Sequence, residues 1–265
     1  MKNIFYILCL LVLVESCKSS KKITRTTPPV AKVETTDKMR FDARKWKDGI
    51  DFYAVGNESD WSVDIDQQNE IRFSTKDGDR LIFSKMDVNW LSDSEYSFTA
   101  SDEAVEFSFN ALEQECSESI PAKQFAYSVT INVNLKGESK KTTYTGCGSF
   151  VPDYRLNGEW KLLQLGNEKA LESDFYGKIP WFTFVMDELS FRGSGGCNLI
   201  SGKVKMGSGK LSFDQLISTK MACKQGKEGD LNEALNATRF YLLEDDKLTL
   251  KDENQQILLV FTKAE

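Results

Sequence analysis

The chain has 265 residues, of which 40% are hydrophobic and 28% charged, and its formal net charge is −6. This composition excludes a globally disordered chain, and the length allows one large or two ordinary domains. The sequence contains no histidine, which excludes Ser-His-Asp and Cys-His catalysis and histidine metal sites. Because the net charge is negative, we expect no nucleic-acid partner.

An apolar stretch at the N-terminus is typical of a secretory leader. Lys2 is followed by an unbroken apolar run from Ile4 to Val14. These eleven residues would rise only about 16 Å as a helix, which is too short to cross a hydrocarbon core of about 30 Å. We therefore interpret residues 1–16 as a signal peptide rather than a membrane span.

The end of this leader, Val14-Glu15-Ser16-Cys17, resembles a bacterial lipobox. The resemblance implies that the thiol of Cys17 is acylated and that the leader is cut before it. The alternative is an ordinary cleaved signal with an incidental cysteine. Several acyl chains would give a stable anchor, whereas one chain would bind only marginally. Lys18 follows the cysteine and no acidic run comes after it, so we expect an outer-membrane lipoprotein that faces the periplasm.

The segment after the anchor, residues 17–45, is predicted to be a lipidated cysteine followed by a flexible tether. It contains Thr26-Thr27-Pro28-Pro29 and no large apolar cluster. Residues 18–45 hold nine Lys or Arg and three Asp or Glu, a net charge of +6. Two interpretations remain open: contact with anionic lipid headgroups, or a solvated spacer.

Residues 46–152 alternate apolar and polar side chains in many short runs. Period-two alternation places one face of each strand in a core and the other in water, as in an antiparallel sheet. We expect a small barrel or sandwich. The runs are Trp61–Asp66, Ile71–Ser74, Leu81–Phe83, Tyr96–Thr99, Val105–Phe109 and Tyr127–Leu135, with Thr142–Thr145 as the return strand of a hairpin.

Residues 157–265 form a second block, separated from the first by a joint near residues 152–155. Asp230 and Glu233 are spaced as a capping box, which predicts one helix from Leu231 to Arg239 that packs on a mostly antiparallel sheet. The expected fold is thus two β-rich domains, the second of the α+β class. The strand-like runs of the second block are Trp160–Leu162, Trp181–Phe184, Leu189–Phe191, Leu211–Phe213, Lys247–Leu250 and Ile257–Phe261.

The second block resembles the META domain family, which includes the heat-inducible HslJ-like proteins. The resemblance lies in Gly196-Cys197-Asn198 and Met221-Ala222-Cys223, together with Gly158–Leu162, Ser201-Gly202 and Leu211–Phe213. It implies a link to the heat-shock response and to novobiocin resistance. It supplies no catalytic residue that can be transferred to this chain.

The first block resembles a less studied family of envelope lipoprotein domains that occur fused to META. The residues that carry this resemblance are Ala54–Glu58, Trp61–Ile65, a cysteine in the middle of the domain, and Gly146-Cys147 at the end of a long strand.

Four cysteines remain after removal of the leader and lipidation of Cys17. An even number in an oxidising compartment indicates disulfides, and the economical pairing within each block is Cys116 with Cys147 and Cys197 with Cys223. Each bond would stabilise the fold by roughly 3.5–4 kcal/mol on the chain-entropy model. No close Cys-x-x-Cys pair exists for zinc, so we expect no metal and no cofactor.

We expect a non-enzymatic envelope lipoprotein that acts in stress response or antibiotic resistance by binding another envelope component. The alternative is a periplasmic inhibitor or small-ligand-binding module that resembles the lysozyme-inhibitor lipoproteins. A hydrolase is a third possibility, because the acid pairs Asp187-Glu188 and Asp245-Asp246 occur between apolar runs. Solvated hairpin tips explain these pairs more simply.

Overall fold

The computed structural model describes residues 37–56, 60–84, 89–90, 94–119, 122–137, 141–222 and 226–264. Within this part, the chain forms two nine-stranded antiparallel sheets and two α-helices. The mainly β fold expected from the sequence is therefore confirmed. No helix in the described part is long and apolar enough to cross a membrane.

The first sheet is antiparallel throughout and takes up the first block. Its strands are β1 Phe52–Gly56, β2 Trp61–Asp66, β3 Glu70–Thr75, β4 Arg80–Ser84, β5 Asn89–Trp90, β6 Glu95–Ser101, β7 Val105–Ser119, β8 Ala122–Leu135 and β9 Lys141–Phe150. Their order across the sheet is β4-β3-β2-β1-β9-β8-β7-β6-β5.

The inner face of this sheet carries an aromatic core. Phe83 on β4 meets Phe107 on β7, with ring centroids 5.1 Å apart, although these strands are far apart in the sheet order. The sheet must therefore curl so that its two ends approach each other. The alternation of buried and partly exposed residues along β2 shows why the period-two pattern located these strands.

Strand β1 is buried on both faces because helix α1, Asp37–Lys47, covers the outside of the sheet. Tyr53 faces α1 and donates a hydrogen bond from its hydroxyl to Asp42 Oδ1 at 2.7 Å. Lys45 Nζ lies 2.7 Å from Asp64 Oδ2 on β2. The segment predicted as a tether up to residue 45 thus ends in a helix, because Phe41 and the buried Trp46 dock it onto the sheet.

The far ends of β7 and β8 fold back over the sheet as a hairpin arm, residues 113–119 and 122–127. The register between the two strands shifts between Glu113 and Cys116. Strand β8 lies between β7 and β9, so flat strands would hold β7 and β9 about 9.5 Å apart. A disulfide nevertheless joins Cys116 to Cys147 with a Cα–Cα distance of 5.6 Å, as the sequence predicts, and this requires the arm to bend.

The second sheet takes up the second block. Its strands are β10 Gly158–Leu165, β11 Glu168–Lys169, β12 Trp181–Val185, β13 Ser190–Ser194, β14 Leu199–Met206, β15 Leu211–Ser218, β16 Phe240–Glu244, β17 Lys247–Lys251 and β18 Ile257–Lys263. The order is β15-β14-β13-β12-β10-β18-β17-β16, with β11 beside β10. Three short 3-10 segments span Tyr154–Leu156, Glu172–Phe175 and Met186–Glu188.

The two ends of the second sheet approach each other at the start of β15 and β16. The amide of Leu211 donates to the carbonyl of Arg239 at 3.0 Å, and the amide of Tyr241 donates to the carbonyl of Gly209 at 3.2 Å. These bonds give the sheet a barrel-like outline.

Helix α2, Glu228–Ala237, packs on this sheet through the fully buried Leu231 and Leu235. The predicted capping box is wrong, because the helix begins earlier and its N-cap is Lys227. The helix begins earlier because the side chain of Glu228 is buried and accepts hydrogen bonds from Asn198. These bonds stabilise an additional turn at the start of the helix.

The segment between the two sheets is buried rather than exposed. Residues 151–154 are all buried, and Tyr154 contacts Trp46 of α1 with ring centroids 5.7 Å apart. One hydrophobic cluster runs from α1 and the outer face of the first sheet into the core of the second. The expectation that the two blocks fold independently stays a prediction.

Candidate functional site

The residues that resemble the META motif are brought together around Asn198. Its side-chain Oδ1 accepts hydrogen bonds from the amide of Met221 at 2.8 Å and from the hydroxyl of Thr219 at 3.0 Å. Its Nδ2 donates to Glu228 Oε2 at 2.8 Å, and its amide donates to Glu228 Oε1 at the same distance. Asn198 thus ties together two loops and the start of α2, and we call this set the motif latch.

The glycines of the motif allow this close approach. A Cβ added at Gly195 would lie 2.5 Å from Glu228 Oε1, so a side chain there would displace the carboxylate. Gly196 has φ +113°, and a Cβ there would lie 2.8 Å from the carbonyl oxygen of Phe175. The positive φ of Gly196 marks a tight turn that a residue with a side chain would strain.

The motif latch presents an exposed apolar patch, formed by Leu199, Ile217 and Met221. These side chains are 61%, 68% and 62% exposed. Ile217 lies opposite Ser201 on β14, and the buried Ile200 points inward, so Leu199 and Ile217 share the outer face of the sheet. Met221 belongs to the META-like motif, but no sequence pattern predicted this patch.

The structure describes some of the remaining predicted site residues, and the others lie outside the described part of the chain. Cys197 is disulfide-bonded, and its expected partner Cys223 lies outside the described residues. Cys17, the predicted lipidation site, also lies outside them. Ala222 is exposed next to the patch. In the described part of the chain, no group of three or more acidic, cysteine or histidine side chains is placed to hold a metal ion.

Two buried tyrosines, Tyr53 on the first sheet and Tyr154 in the segment between the sheets, donate hydrogen bonds to aspartates. Tyr154 donates from its hydroxyl to Asp187 Oδ1 at 2.8 Å, much as Tyr53 donates to Asp42. Burial raises the pKa of Tyr154, and its bond to Asp187 raises it further, so the hydroxyl remains a donor. Burial also raises the pKa of Asp187; the bond from Tyr154 opposes this shift, and the nearby Asp42 and Glu188 add to it.

We expect Asp187→Asn to stabilise the protein at neutral pH. Because the pKa of Asp187 is raised in the folded state, its ionisation penalises folding above that pKa, and the penalty disappears as the pH falls through it. The advantage of the variant should therefore shrink between neutral and mildly acidic pH. Urea unfolding of both proteins across this range checks the expectation, and a variant that is equally less stable at every pH would contradict it.

The acid pairs considered for hydrolysis occupy turns. Asp187 and Glu188 belong to a 3-10 turn that ends at Leu189, whose φ is +45°. Asp245 has φ +49° in the turn between β16 and β17. Glu188, Asp245 and Asp246 are exposed, as expected of solvated turn tips, whereas Asp187 is half-buried and accepts the hydrogen bond from Tyr154.

A cleft lies between the two sheets and has a volume of about 210 Å³. Its polar walls include Asp51, Gln67, Asp153, Arg155 and Tyr241. A second cavity, of about 400 Å³, lies on the polar outer face of β6 to β9, and a third, of about 520 Å³, lies between α2 and the turn after β10.

Asp153 and Arg155 form an ion pair at the cleft, in which Asp153 is the buried partner. Arg155 Nη2 lies 2.6 Å from Asp153 Oδ2, and the hydroxyl of Tyr241 donates to the same oxygen at 3.2 Å. Burial alone would raise the pKa of Asp153, but the bonds and charge of Arg155 outweigh it and hold this pKa below its ordinary value. Arg155 was not identified from the sequence, because nothing local distinguishes it from other surface arginines.

Comparison with known proteins assigns the second block. Residues 153–265 match the family model of the META domain. A search of curated proteins found no match.

Two solved structures illustrate the similarity to known folds. A DUF4847 family protein from Bacteroides vulgatus is 19% identical, with a TM-score of 0.31, and the match covers 42% of this chain and 96% of that protein. A protein from Burkholderia xenovorans, solved by NMR, is 25% identical, with a TM-score of 0.34, and the match covers 42% of this chain and 84% of that one. The family model of the META domain thus matches the part of this chain that contains the second sheet and helix α2.

Proposed function

We propose that this chain is a lipid-anchored envelope protein that works by binding another envelope protein, not by catalysis. The strongest support is that the polar and the apolar residues of the META motif have different surroundings. Its polar groups bond to one another in the motif latch, while Leu199 and Met221 beside them remain exposed. The polar groups of the motif therefore hold the shape of a surface, and this arrangement favours a binding function over a catalytic one.

The exposed apolar patch has the character of a protein-binding surface. Apolar side chains that cluster on a surface with a polar rim are typical of interaction sites. Ser201 on β14 pairs with Arg192 on one side and with Ile217 on the other, so the three residues lie side by side across the sheet. Arg192 and Lys220 are both exposed. The partner we propose is therefore a protein surface with an apolar centre and an acidic edge.

The proposed location depends on the leader and on Cys17. Acylation at Cys17 would hold the protein at the outer membrane, facing the periplasm. The proposed role in stress response or antibiotic resistance comes from the resemblance to HslJ-like proteins. The resemblance of the first block to lipoprotein domains fused to META is consistent with the same location.

Replacing Cys17 by alanine should release the protein from the membrane fraction and abolish labelling by a radioactive fatty acid. The physical reason is that acyl chains supply about 0.8 kcal/mol per buried CH₂, and the variant would carry none. Cells that express each form are labelled and fractionated, with the leader otherwise unchanged. Unchanged label and membrane recovery would rule out the lipoprotein proposal.

Binding at the patch can be tested by photo-crosslinking in intact cells. A photoreactive amino acid replaces Ile217 in one variant and Ile82, an equally apolar residue that is 62% exposed on the first sheet, in the matched control. We expect a discrete protein adduct from position 217 and none from position 82. Equal adducts from both positions, no adduct, or labelling of lipid instead of protein would contradict the proposal.

A further inference from the structure

Met221 differs from the other methionines whose burial the structure describes. Its side chain is 62% exposed, whereas Met186 is fully buried and Met206 is partly buried against the hydrophobic core. A methionine side chain is flexible and apolar and commonly fills gaps in a core, which is the role of Met186 and Met206. Packing does not explain the position of Met221, whose thioether sulfur is open to reagents in solution.

The bonds that hold Met221 in place use its backbone. Its amide donates to Asn198 Oδ1 at 2.8 Å. Two residues earlier, the amide of Thr219 donates to the carbonyl of Leu199 at 3.1 Å, and the hydroxyl of Thr219 accepts from the amide of Leu199 at the same distance. Met221 is therefore held beside Leu199 by its backbone, and a chemical change at its sulfur leaves these bonds intact.

We propose that Met221 is an oxidation site through which hydrogen peroxide controls binding at the exposed apolar patch. The sulfur attacks one oxygen of the peroxide, so that an S–O bond forms and the O–O bond breaks. The sulfur loses two electrons and becomes a sulfoxide, while the second peroxide oxygen keeps both protons and leaves as water. This inference rests on the proposed binding function of the patch, to which it adds a means of regulation.

The sulfoxide changes the patch from apolar to polar at one of its three residues. A partner with an apolar centre would have to bury the new oxygen without a hydrogen-bond donor, which opposes binding. In the free protein the oxygen stays in water, because Met221 is exposed, so the fold should keep its stability. The change is also reversible, because methionine sulfoxide reductases restore the thioether.

The first test compares the oxidation rates of the methionines in the full-length protein in detergent. The protein is treated with hydrogen peroxide, and the sulfoxide at each methionine is measured over time by peptide mass spectrometry. We expect Met221 to react at least about tenfold faster than Met186 and Met206, since susceptibility follows exposure. We also expect an unchanged melting temperature when Met221 alone is oxidised. Equal rates at the three positions would overturn the proposal.

The second test follows the photo-crosslink from position 217 in intact cells before and after peroxide treatment. In the native chain we expect the treatment to lower the yield of the adduct about tenfold, because the oxidised patch resists burial. Met221→Leu keeps the patch apolar but has no sulfur, so its adduct should persist in treated cells. Met206→Leu is the matched control and should lose the adduct as the native chain does.

The variants separate oxidation of Met221 from oxidation of the partner. Equal loss of the adduct in the native and Met221→Leu chains, or an undiminished adduct when Met221 is fully oxidised, would overturn this inference alone. A native chain that gives no adduct in untreated cells contradicts the proposed binding function itself, and the inference falls with it.

Discussion

Asn198→Ala is expected to lower the free energy of unfolding of the META domain by about 2–4 kcal/mol. The alanine removes the acceptor of Met221 and Thr219 and the donor to Glu228. Glu228 is only 8% exposed, and a buried carboxylate that loses a donor is costly. Urea unfolding of the two proteins gives the difference directly.

The control for this substitution is Asn236→Ala. Asn236 is exposed on α2, and among the described residues its Nδ2 donates to the carbonyl of Asn232 at 2.9 Å. We expect a change within about 0.5 kcal/mol there. Asn198→Asp keeps the acceptor but places a second carboxylate beside Glu228, so it should be at least as destabilising as alanine. An Asn198→Ala protein as stable as the Asn236 control would show that the motif latch is not structural.

Removal of the Cys116–Cys147 disulfide is expected to cost about 2–5 kcal/mol. The bond closes a separation of 31 residues and holds the hairpin arm across β8. Phe125 of the arm also packs on Tyr53, with ring centroids 6.1 Å apart. Cys116→Ser is the milder single variant, because Cys147 is fully buried.

The double-mutant cycle distinguishes loss of the disulfide from loss of packing. If the bond supplies the stability, Cys116→Ser together with Cys147→Ala should be little worse than either single variant. Additive costs, or an intact chain that melts identically with and without reductant, would contradict this account. Peptide mapping without reduction gives the pairing itself, including the partner of Cys197.

The sequence predicted the strands with the clearest alternation because each has one face in the core. Strand β2 was found with both its bounds for this reason. Strand β1 is buried on both faces and does not alternate, so the pattern missed it. Helix α1 was missed because its docking side offers little beyond Phe41 and Trp46, and its remaining residues are mostly polar.

Local sequence patterns could not predict contacts between residues that are far apart in the chain. The resemblance pointed to Asn198, but its partner Glu228 lies 30 residues away and is not part of the quoted motif. This contact also explains the start of α2, which the spacing of Asp230 and Glu233 placed too late. The cleft was unpredictable for the same reason, because its walls combine Asp51 of the first block with Tyr241 of the second.

The central claim is that the motif latch shapes a surface whose function resides in the exposed apolar patch. The most direct measurement is the yield of the photo-crosslink from position 217 in a chain that also carries Leu199→Asp. Leu199 is 61% exposed, so this change should alter the free energy of unfolding by no more than about 0.5 kcal/mol. The account predicts that the adduct is lost while stability is kept. An undiminished adduct in the stable Leu199→Asp protein would contradict it.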